Sequence, residues 1–356
     1  MTRARLRDLG PAIGVLPPGP ANAITDVPGV WVGHATVVRD EPSVARTGVT
    51  MVVPRENEVW DDYCFAGWHG FNGNGELTGI PWLEESGMLG SPIAITNTHQ
   101  VGLVRDALVR YSVEHGVVDG FILPVVGETW DGWLSEIDSF PVAEADALAA
   151  LDTASPGTVA EGNVGGGTGM ICHELKGGIG TSSRRCTAGG DTWTVGALVQ
   201  ANYGHREDLR LDGLPLGRRV GYDLVPSPFP EERSAGGSII VVVATDAPLI
   251  PTQCTRLARR ATVGLARAGG LGHNGSGDLF LAFATGNHLP AHRARRDLVM
   301  LDHDALDPLF RGTAEAVEEA ILNALCAAET MIGHLGRTAH ALPLEAVSEA
   351  WSLRQG

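Results

Sequence analysis

Short apolar runs rich in β-branched residues alternate with helical patterns along the whole chain, and this alternation is the feature that most constrains the fold. The predicted strands cover 49–53, 92–96, 120–126, 193–199 and 238–244. The predicted helices cover 101–114, 143–151, 252–268 and 314–335. No Pro/Ser-rich linker divides the 356 residues. The pattern therefore predicts a single α/β layer structure, in which two packed sheets are covered by helices.

The last predicted helix has the clearest periodicity. Its apolar residues, from Val317 to Ala328, recur at helical spacing. Three glutamates, Glu315, Glu318 and Glu319, lie near its predicted amino end, where the helix dipole favours negative charge.

Composition excludes several classes of partner. Apolar residues make up 44% of the chain and the formal net charge is −16, which repels nucleic acids and anionic membranes. We expect no nucleic-acid partner and no membrane partner. The five cysteines are scattered without CxxC, and no HExxH occurs, so we expect reduced thiols, no metal and no other cofactor. The N-terminus lacks the apolar run of a signal peptide, and with the cysteine pattern this predicts a cytoplasmic location.

The junction between Gly237 and Ser238 is the most informative motif. The segment 226–237, PSPFPEERSAGG, combines prolines, charges and small residues, and predicts an exposed loop before the most apolar strand. The Ser238 hydroxyl would attack the Gly237 carbonyl, the acyl group would move from nitrogen to oxygen and free an α-amine, and water would hydrolyse the ester to cut the chain. An ordinary α-amine has a pKa of roughly 7.7–8.0, so the freed amine can act as the base for its own hydroxyl. A plain turn before a strand is the alternative interpretation.

A second polar cluster, GHNGSGD, spans 272–278 and precedes the apolar run LFLAF. Ser276 and Asp278 would point to the same side of an extended stretch, and could hold an ammonium group. Gly270, Gly272 and Gly275 fit G-x-G-x-x-G, but a dinucleotide site requires a strand before this motif and a helix after it. Here a predicted helix precedes it and a strand follows.

Two predicted strands end in residues suited to substrate contact. Glu128 and Trp130 follow one strand and would project a carboxylate and an indole from its tip. Asn202 leaves another strand and could donate its amide to an oxyanion. Glycine-rich turns at 163–170 and 176–181 would let the backbone approach a cleft or a partner strand.

In combination, these motifs resemble the DmpA-type L-aminopeptidase/D-esterase family, which includes the β-peptidyl aminopeptidases. The resemblance covers nearly the full chain. The matching motifs are NAITDVPGV at 22, NTH at 97, NVGGGTGM at 163, KGGIGT at 176, GSII with ATDAPL from 237, and NGSGD at 274, followed by a C-terminal helix and HALP at 340.

The resemblance implies an α/β fold, a four-layer αββα sandwich formed by one domain, 1–356. It implies self-cleavage into a 1–237 α subunit and a 238–356 β subunit, assembled as an oligomer of heterodimers. The implied catalytic residues are Ser238 as nucleophile, Ser276 and Asp278 around its amine, and Asn202 at the oxyanion. Glu128 would bind the ammonium group of a peptide, amide or ester substrate. Trp130 falls where some members carry an oxyanion-donating tyrosine, and an indole donates from a different position.

The leading hypothesis is therefore a self-processing serine aminopeptidase without a metal. One alternative is an acyltransferase similar to ornithine acetyltransferase, whose nucleophile is a threonine. Another is a binding protein that has lost catalysis. An oxidoreductase would depend on the misplaced G-x-G-x-x-G alone.

Overall fold

The computed structural model describes residues 3–118, 120–230 and 237–355. The strands are β1 (Trp31–Arg39), β2 (Ala45–Val53), β3 (Asp62–Gly73), β4 (Met88–Leu89), β5 (Ile93–Asn97), β6 (Val125–Thr129), β7 (Ile171–Cys172), β8 (Leu175–Lys176), β9 (Gly178–Ala188), β10 (Asp191–Asn202), β11 (Ser238–Thr245), β12 (Gly277–Pro290), β13 (Met331–Ile332) and β14 (Thr338–Ala339). The helices are α1 (Ile80–Ser86), α2 (Val101–Glu114), α3 (Glu144–Asp152), α4 (Leu216–Arg219), α5 (Pro251–Arg267), α6 (Asp307–Ala327) and α7 (Leu344–Gln355).

Two sheets form the centre of the structure. One has the strand order β1-β2-β5-β6, and the other has the order β4-β3-β12-β11-β10-β9. Most neighbouring strands are antiparallel, whereas β5 with β6 and β11 with β12 are parallel. Two short ribbons, β7-β8 and β13-β14, lie outside the sheets.

The layers follow from alternation along buried strands. In β11, residues 239, 241 and 243 belong to the core beneath the helices, and residues 240, 242 and 244 belong to the core between the sheets. Helices α5 and α6 pack on the six-stranded sheet, and α2 and α3 pack on the four-stranded sheet. The predicted αββα sandwich is confirmed. Ser238 lies on the side of β11 that faces the other sheet.

Most predicted elements are confirmed, with one clear error among the strands. Helices α2, α3 and α5 and strands β2, β5, β10 and β11 overlap their predictions. The predicted strand 120–126 is wrong over its first half, because β6 begins only at Val125. Pro124 has no N–H to donate to a ladder, and Phe121 is 75% exposed.

The last long helix is shifted relative to its prediction. It begins at Asp307, with Pro308 in its first turn, and ends at Ala327. Ala328 is extended, and Asn163 exchanges two hydrogen bonds with the backbone of Glu329, which directs the chain away from the helix axis.

The three glutamates of α6 are consequently buried in the middle of the helix, and the prediction that they lie at its amino end is wrong. Glu319 binds Arg7 and Arg184 at 2.7 and 2.6 Å, and Glu318 binds Arg267 at 2.6 Å. Arginine pairing, rather than the helix dipole, holds these carboxylates.

Among the described residues, no helix has the length and apolar character needed to cross a bilayer. Residues 231–236 of the predicted loop lie outside the described residues.

Candidate active site

A cleft of about 580 Å³ opens where β6 and β10 end and β11 begins. Because β10 and β11 are antiparallel, the last residue of one strand lies beside the first residue of the other. Gly127 lets β6 lie close to Ile240 of β11, where an added Cβ would be 3.3 Å from the Ile240 side chain. The stacking of the two sheets therefore brings three strand ends to one cleft.

Ser238 is the first residue of β11 and lines this cleft. Its side chain is buried, and its Oγ accepts a hydrogen bond of 3.0 Å from the N–H of Gly277. Gly237 precedes it and packs so closely that an added Cβ would lie 1.9 Å from the carbonyl oxygen of Asn202. Only glycine fits at position 237 in this arrangement.

Asn202 is the ladder partner of Ser238 and also lines the cleft. Its Oδ1 accepts from the N–H of Ile171 at 2.8 Å, and its Nδ2 donates to the carbonyl of Trp130 at 3.0 Å. These two contacts fix the orientation of the amide, since one requires an acceptor and the other a donor. The second hydrogen of Nδ2 can then bind an oxyanion in the cleft.

Ser276 and Asp278 form a buried pair at the start of β12. The Ser276 hydroxyl donates to Asp278 Oδ1 at 2.5 Å. Burial raises the pKa of Asp278 to about 6, against which the Ser276 bond acts weakly. The parallel ladder places Asp278 beside Ile239, one residue from the backbone nitrogen of Ser238. Asp278 Oδ2 has no hydrogen-bond partner among the described residues.

Glu128 provides the carboxylate of the cleft. Its Oε1 accepts from the N–H of Glu76 at 3.0 Å, and its Oε2 accepts from the hydroxyl of Thr98. Burial raises its pKa despite these two bonds. A buried carboxylate that already holds two donors has room for a cationic group on the cleft side.

An aromatic wall of Trp130, Trp133 and Phe229 lines the same cleft as this carboxylate. Trp133 and Phe229 meet edge to face at 5.1 Å, and Arg337 lies over the Trp133 ring at 3.9 Å. The wall gives the cleft one apolar side. Gly132 packs against the Trp130 ring, where an added Cβ would be 2.5 Å from Cζ2.

The structure brings the predicted residues Ser238, Asn202, Glu128 and Trp130 into one cleft, whereas the pair Ser276–Asp278 lies next to it without lining it. Sequence reasoning did not name Thr98, Trp133 or Phe229 as site residues, although Thr98 lies in the NTH motif and Phe229 in the segment before the proposed cut. The misplaced glycine motif lies between α5 and β12, as its sequence context predicts, and the order is unsuited to a dinucleotide.

Two solved structures with the same fold are described as aminopeptidases. A β-aminopeptidase from Burkholderia sp. superposes with a TM-score of 0.92 at 51% identity and 99% coverage of both chains. The L-aminopeptidase D-Ala-esterase/amidase from Ochrobactrum anthropi, described as a prototype serine aminopeptidase with a variant of the Ntn hydrolase fold, gives a TM-score of 0.90 at 43% identity and 99% coverage of both.

Sequence comparison agrees with these superpositions. The β-peptidyl aminopeptidase BapA of Sphingosinicella microcystinivorans is 44% identical over 358 aligned residues, which cover 95% of this chain and 89% of the relative. Fold and site thus define an aminopeptidase with an Ntn-hydrolase-type fold. The profile of peptidase family S58 matches residues 22–339. The chain belongs to peptidase family S58.

Proposed function

We propose that the chain cuts itself between Gly237 and Ser238, and that Ser238 then serves as the N-terminal nucleophile of the aminopeptidase. The supporting observation is that Ser238 begins a buried central strand inside the cleft, directly beside Asn202 and in the same cavity as Glu128. Cleavage yields the 1–237 and 238–356 subunits of one αββα domain.

Each neighbouring group has a role in this proposal. Glu128 binds the substrate's ammonium group and so fixes the distance to the scissile carbonyl. The Ser238 amine removes the proton of its own hydroxyl, which attacks that carbonyl. The scissile bond then breaks, the amine returns the proton to the departing amine or alcohol, and the acyl-enzyme remains. Asn202 stabilises the oxyanion with its second amide hydrogen. Water then hydrolyses the ester.

The pair Ser276–Asp278 holds the new amine. Asp278 lies one ladder position from the Ser238 nitrogen and has an unpaired oxygen, so it can accept a hydrogen bond from that amine. Trp130 contributes its backbone carbonyl to the orientation of Asn202 and its ring to the substrate pocket.

The substrates we propose are peptides, amides and esters with a free amino terminus, including those that begin with a β-amino acid. The β-amino preference is suggested by the names of the similar enzymes from Sphingosinicella and Burkholderia. We further propose an oligomer of heterodimers. A cytoplasmic location stays a prediction, supported by five cysteines that are all buried free thiols.

The test is a denaturing gel of the purified protein, with the mass and N-terminal residue of each band. Two fragments, the smaller beginning with Ser238, are expected for the unaltered chain, and a single inactive chain is expected for Ser238→Ala. A cut Ser238→Ala chain would contradict the mechanism. Matched p-nitroanilides of α- and β-amino acids, with N-acetylated controls, then measure the substrate class.

A further inference from the structure

Lys176 is the only lysine in the chain, and every other strongly basic side chain is an arginine. It ends β8 and is completely buried. Burying an ammonium group is costly unless its surroundings compensate for the lost water. The one ammonium side chain in a chain that otherwise uses arginine thus lies in the interior, where its surroundings must compensate for the lost water.

The surroundings of Lys176 match the charged form of its side chain. Nζ donates to the carbonyl oxygens of Met170, Gly177 and Gly167, at 2.8, 2.9 and 3.4 Å. An ammonium has three donors and no acceptor, so three carbonyls satisfy it. No carboxylate of the described residues forms a salt bridge with it, and burial lowers its pKa to about 7. Below about pH 7, where the side chain carries its proton, its positive charge acts mainly on backbone dipoles.

Glycine makes this site possible. An added Cβ at Gly177 would lie 2.4 Å from the carbonyl of Ala201, and one at Gly167 would lie 2.4 Å from the nitrogen of Ile179. The two glycine-rich motifs of the sequence, at 163–170 and 176–181, thereby meet around one ammonium group.

A directed chain of hydrogen bonds leads from this ammonium to the cleft. The Met170 carbonyl that accepts from Lys176 and the Ile171 N–H belong to one peptide group. That N–H donates to Asn202 Oδ1 at 2.8 Å, and Asn202 Nδ2 donates onward to the Trp130 carbonyl at 3.0 Å. Each amide in such a chain accepts at its oxygen and donates at its nitrogen, so every bond polarises the next.

We propose that Lys176 is a positioning residue for the oxyanion site, which acts through the Met170–Ile171 peptide on Asn202. It holds the Asn202 amide in one orientation and makes its N–H groups stronger donors to the oxyanion. This inference rests on the proposed role of Asn202. Donors fixed before the reaction stabilise developing charge without reorganisation, so the effect belongs to the transition state.

The central experiment is a double-mutant cycle of Lys176→Met and Asn202→Ala. Lys176→Met keeps the length of the side chain and removes its charge. We expect kcat per cut chain to fall about 10–100-fold with KM within about twofold, the pattern of a lost transition-state contact. In the Asn202→Ala background, the same substitution should lower kcat no further. If the fold-losses in kcat of the two single variants multiply in the double variant, Lys176 acts independently of Asn202. Its role is then merely structural, and the inference is overturned.

Arg184→Met is the matched control, because it also removes a completely buried cation. Arg184 pairs with Glu315 and Glu319 beneath α6, outside the cleft, so we expect lower thermal stability with an unchanged kcat per cut chain. If Asn202→Ala alone leaves kcat unchanged, the proposed oxyanion role fails. If Asn202→Ala lowers kcat while Lys176→Met does not, only the role of Lys176 fails.

A second measurement covers the case in which Lys176→Met does not fold. Because the chain has one lysine, lysine labelled with ¹³C only at Cε gives a single side-chain resonance in the unaltered enzyme. A serine-directed acylating inhibitor should shift this resonance in the unaltered enzyme, but leave it in place in Asn202→Ala. A resonance that does not respond in the unaltered enzyme would overturn the inference.

Discussion

At the scale of single residues, the cleft combines two carboxylates whose environments differ. Glu128 lines the cavity, and its two oxygens already accept hydrogen bonds from two donors. Asp278 lies next to the cavity without lining it, and one of its oxygens has no hydrogen-bond partner among the described residues. Burial raises the pKa of both. In the proposed mechanism both groups work as anions. We expect replacement of Glu128 to change substrate binding, and replacement of Asp278 to change turnover and stability.

Replacement of Glu128 by Gln should weaken substrate binding. The amide keeps the shape of the side chain but cannot pair with an ammonium, and hydrogen bonds to charged groups contribute about 1.5–3 kcal/mol. We expect KM for an aminoacyl p-nitroanilide to rise about 10–100-fold. Glu76→Gln, which changes an exposed carboxylate at the same cleft, is the control and should change KM little. Equal effects of the two substitutions would argue against ammonium recognition by Glu128.

Replacement of Asp278 by Asn should remove the acidic limb of the pH profile. With a pKa of about 6, Asp278 loses its proton as the pH rises through 6, so kcat should rise over that range in the unaltered enzyme. The Asn variant should turn over far more slowly at every pH. An unchanged acidic limb in the variant would assign that ionisation to another group.

The same substitution should stabilise the fold. The pKa of Asp278 is higher in the folded protein than its ordinary value of 3.8, so the folded state binds the proton more tightly. Its contribution to stability therefore decreases as the pH rises from about 4 through 6. Asp278→Asn should raise the melting temperature relative to the unaltered chain by more at pH 7.5 than at pH 5.

At the scale of elements, sequence patterns predicted the helices and strands whose pattern lies within one segment. They missed strands whose residues are satisfied only by pairing with distant segments. Helix α2 was predicted with its observed bounds, because its periodicity lies within one segment. Strand β9 was missed, since its buried row of Thr181 to Arg184 is polar and is satisfied only by partners far along the chain, such as Ala316 and Glu319. Register and sheet stacking, which no single segment encodes, create such buried polar sites.

The same limit applies to the site. Ser238, Asn202 and Glu128 could be singled out because each lies at or near one end of a strand, and their roles are those that the family resemblance implies. Thr98 follows a different strand, and Phe229 lies in the segment before the proposed cut. The pairing of β5 with β6 in the smaller sheet brings Thr98 to Glu128, and the packing of two loops brings Phe229 against Trp133.

The contact between α5 and α6 depends on Gly264. An added Cβ there would lie 2.6 Å from the Cβ of Val317 and 2.7 Å from the carbonyl of Ala314. We expect Gly264→Ala to destabilise the fold by about 1–3 kcal/mol through overpacking. Gly102→Ala in α2 is the matched control, because its Cβ would meet nothing within 4 Å. It should stabilise by about 0.5–1 kcal/mol in urea unfolding.

At the scale of the whole molecule, the segment after Ser238 supplies the middle of the larger sheet. Strands β11 and β12 lie between β10 on one side and β3 on the other, and both flanking strands precede Gly237. Helix α6 of the same segment packs on β9 and β10. Backbone ladders and both apolar cores therefore join the two proposed subunits.

We expect the two fragments to remain together after cleavage. Under native conditions, size-exclusion chromatography of the cut protein should give one peak that contains both fragments, at the elution volume expected for the uncut Ser238→Ala chain. Only denaturant should separate them. Release of the 238–356 fragment in native buffer would contradict the pairing of β11 with β10.

The central place of β11 also sets an order of events in the life of the protein. In the proposed mechanism, the groups around Ser238 come together only after β11 has paired with β10 and β12 and the second sheet has packed on it, so we expect cleavage to follow assembly. The proposed cleavage would then occur only in a correctly assembled chain. Newly made or misassembled chains would have no free amine and no peptidase activity, so a cell would be protected from a half-formed protease without any separate inhibitor.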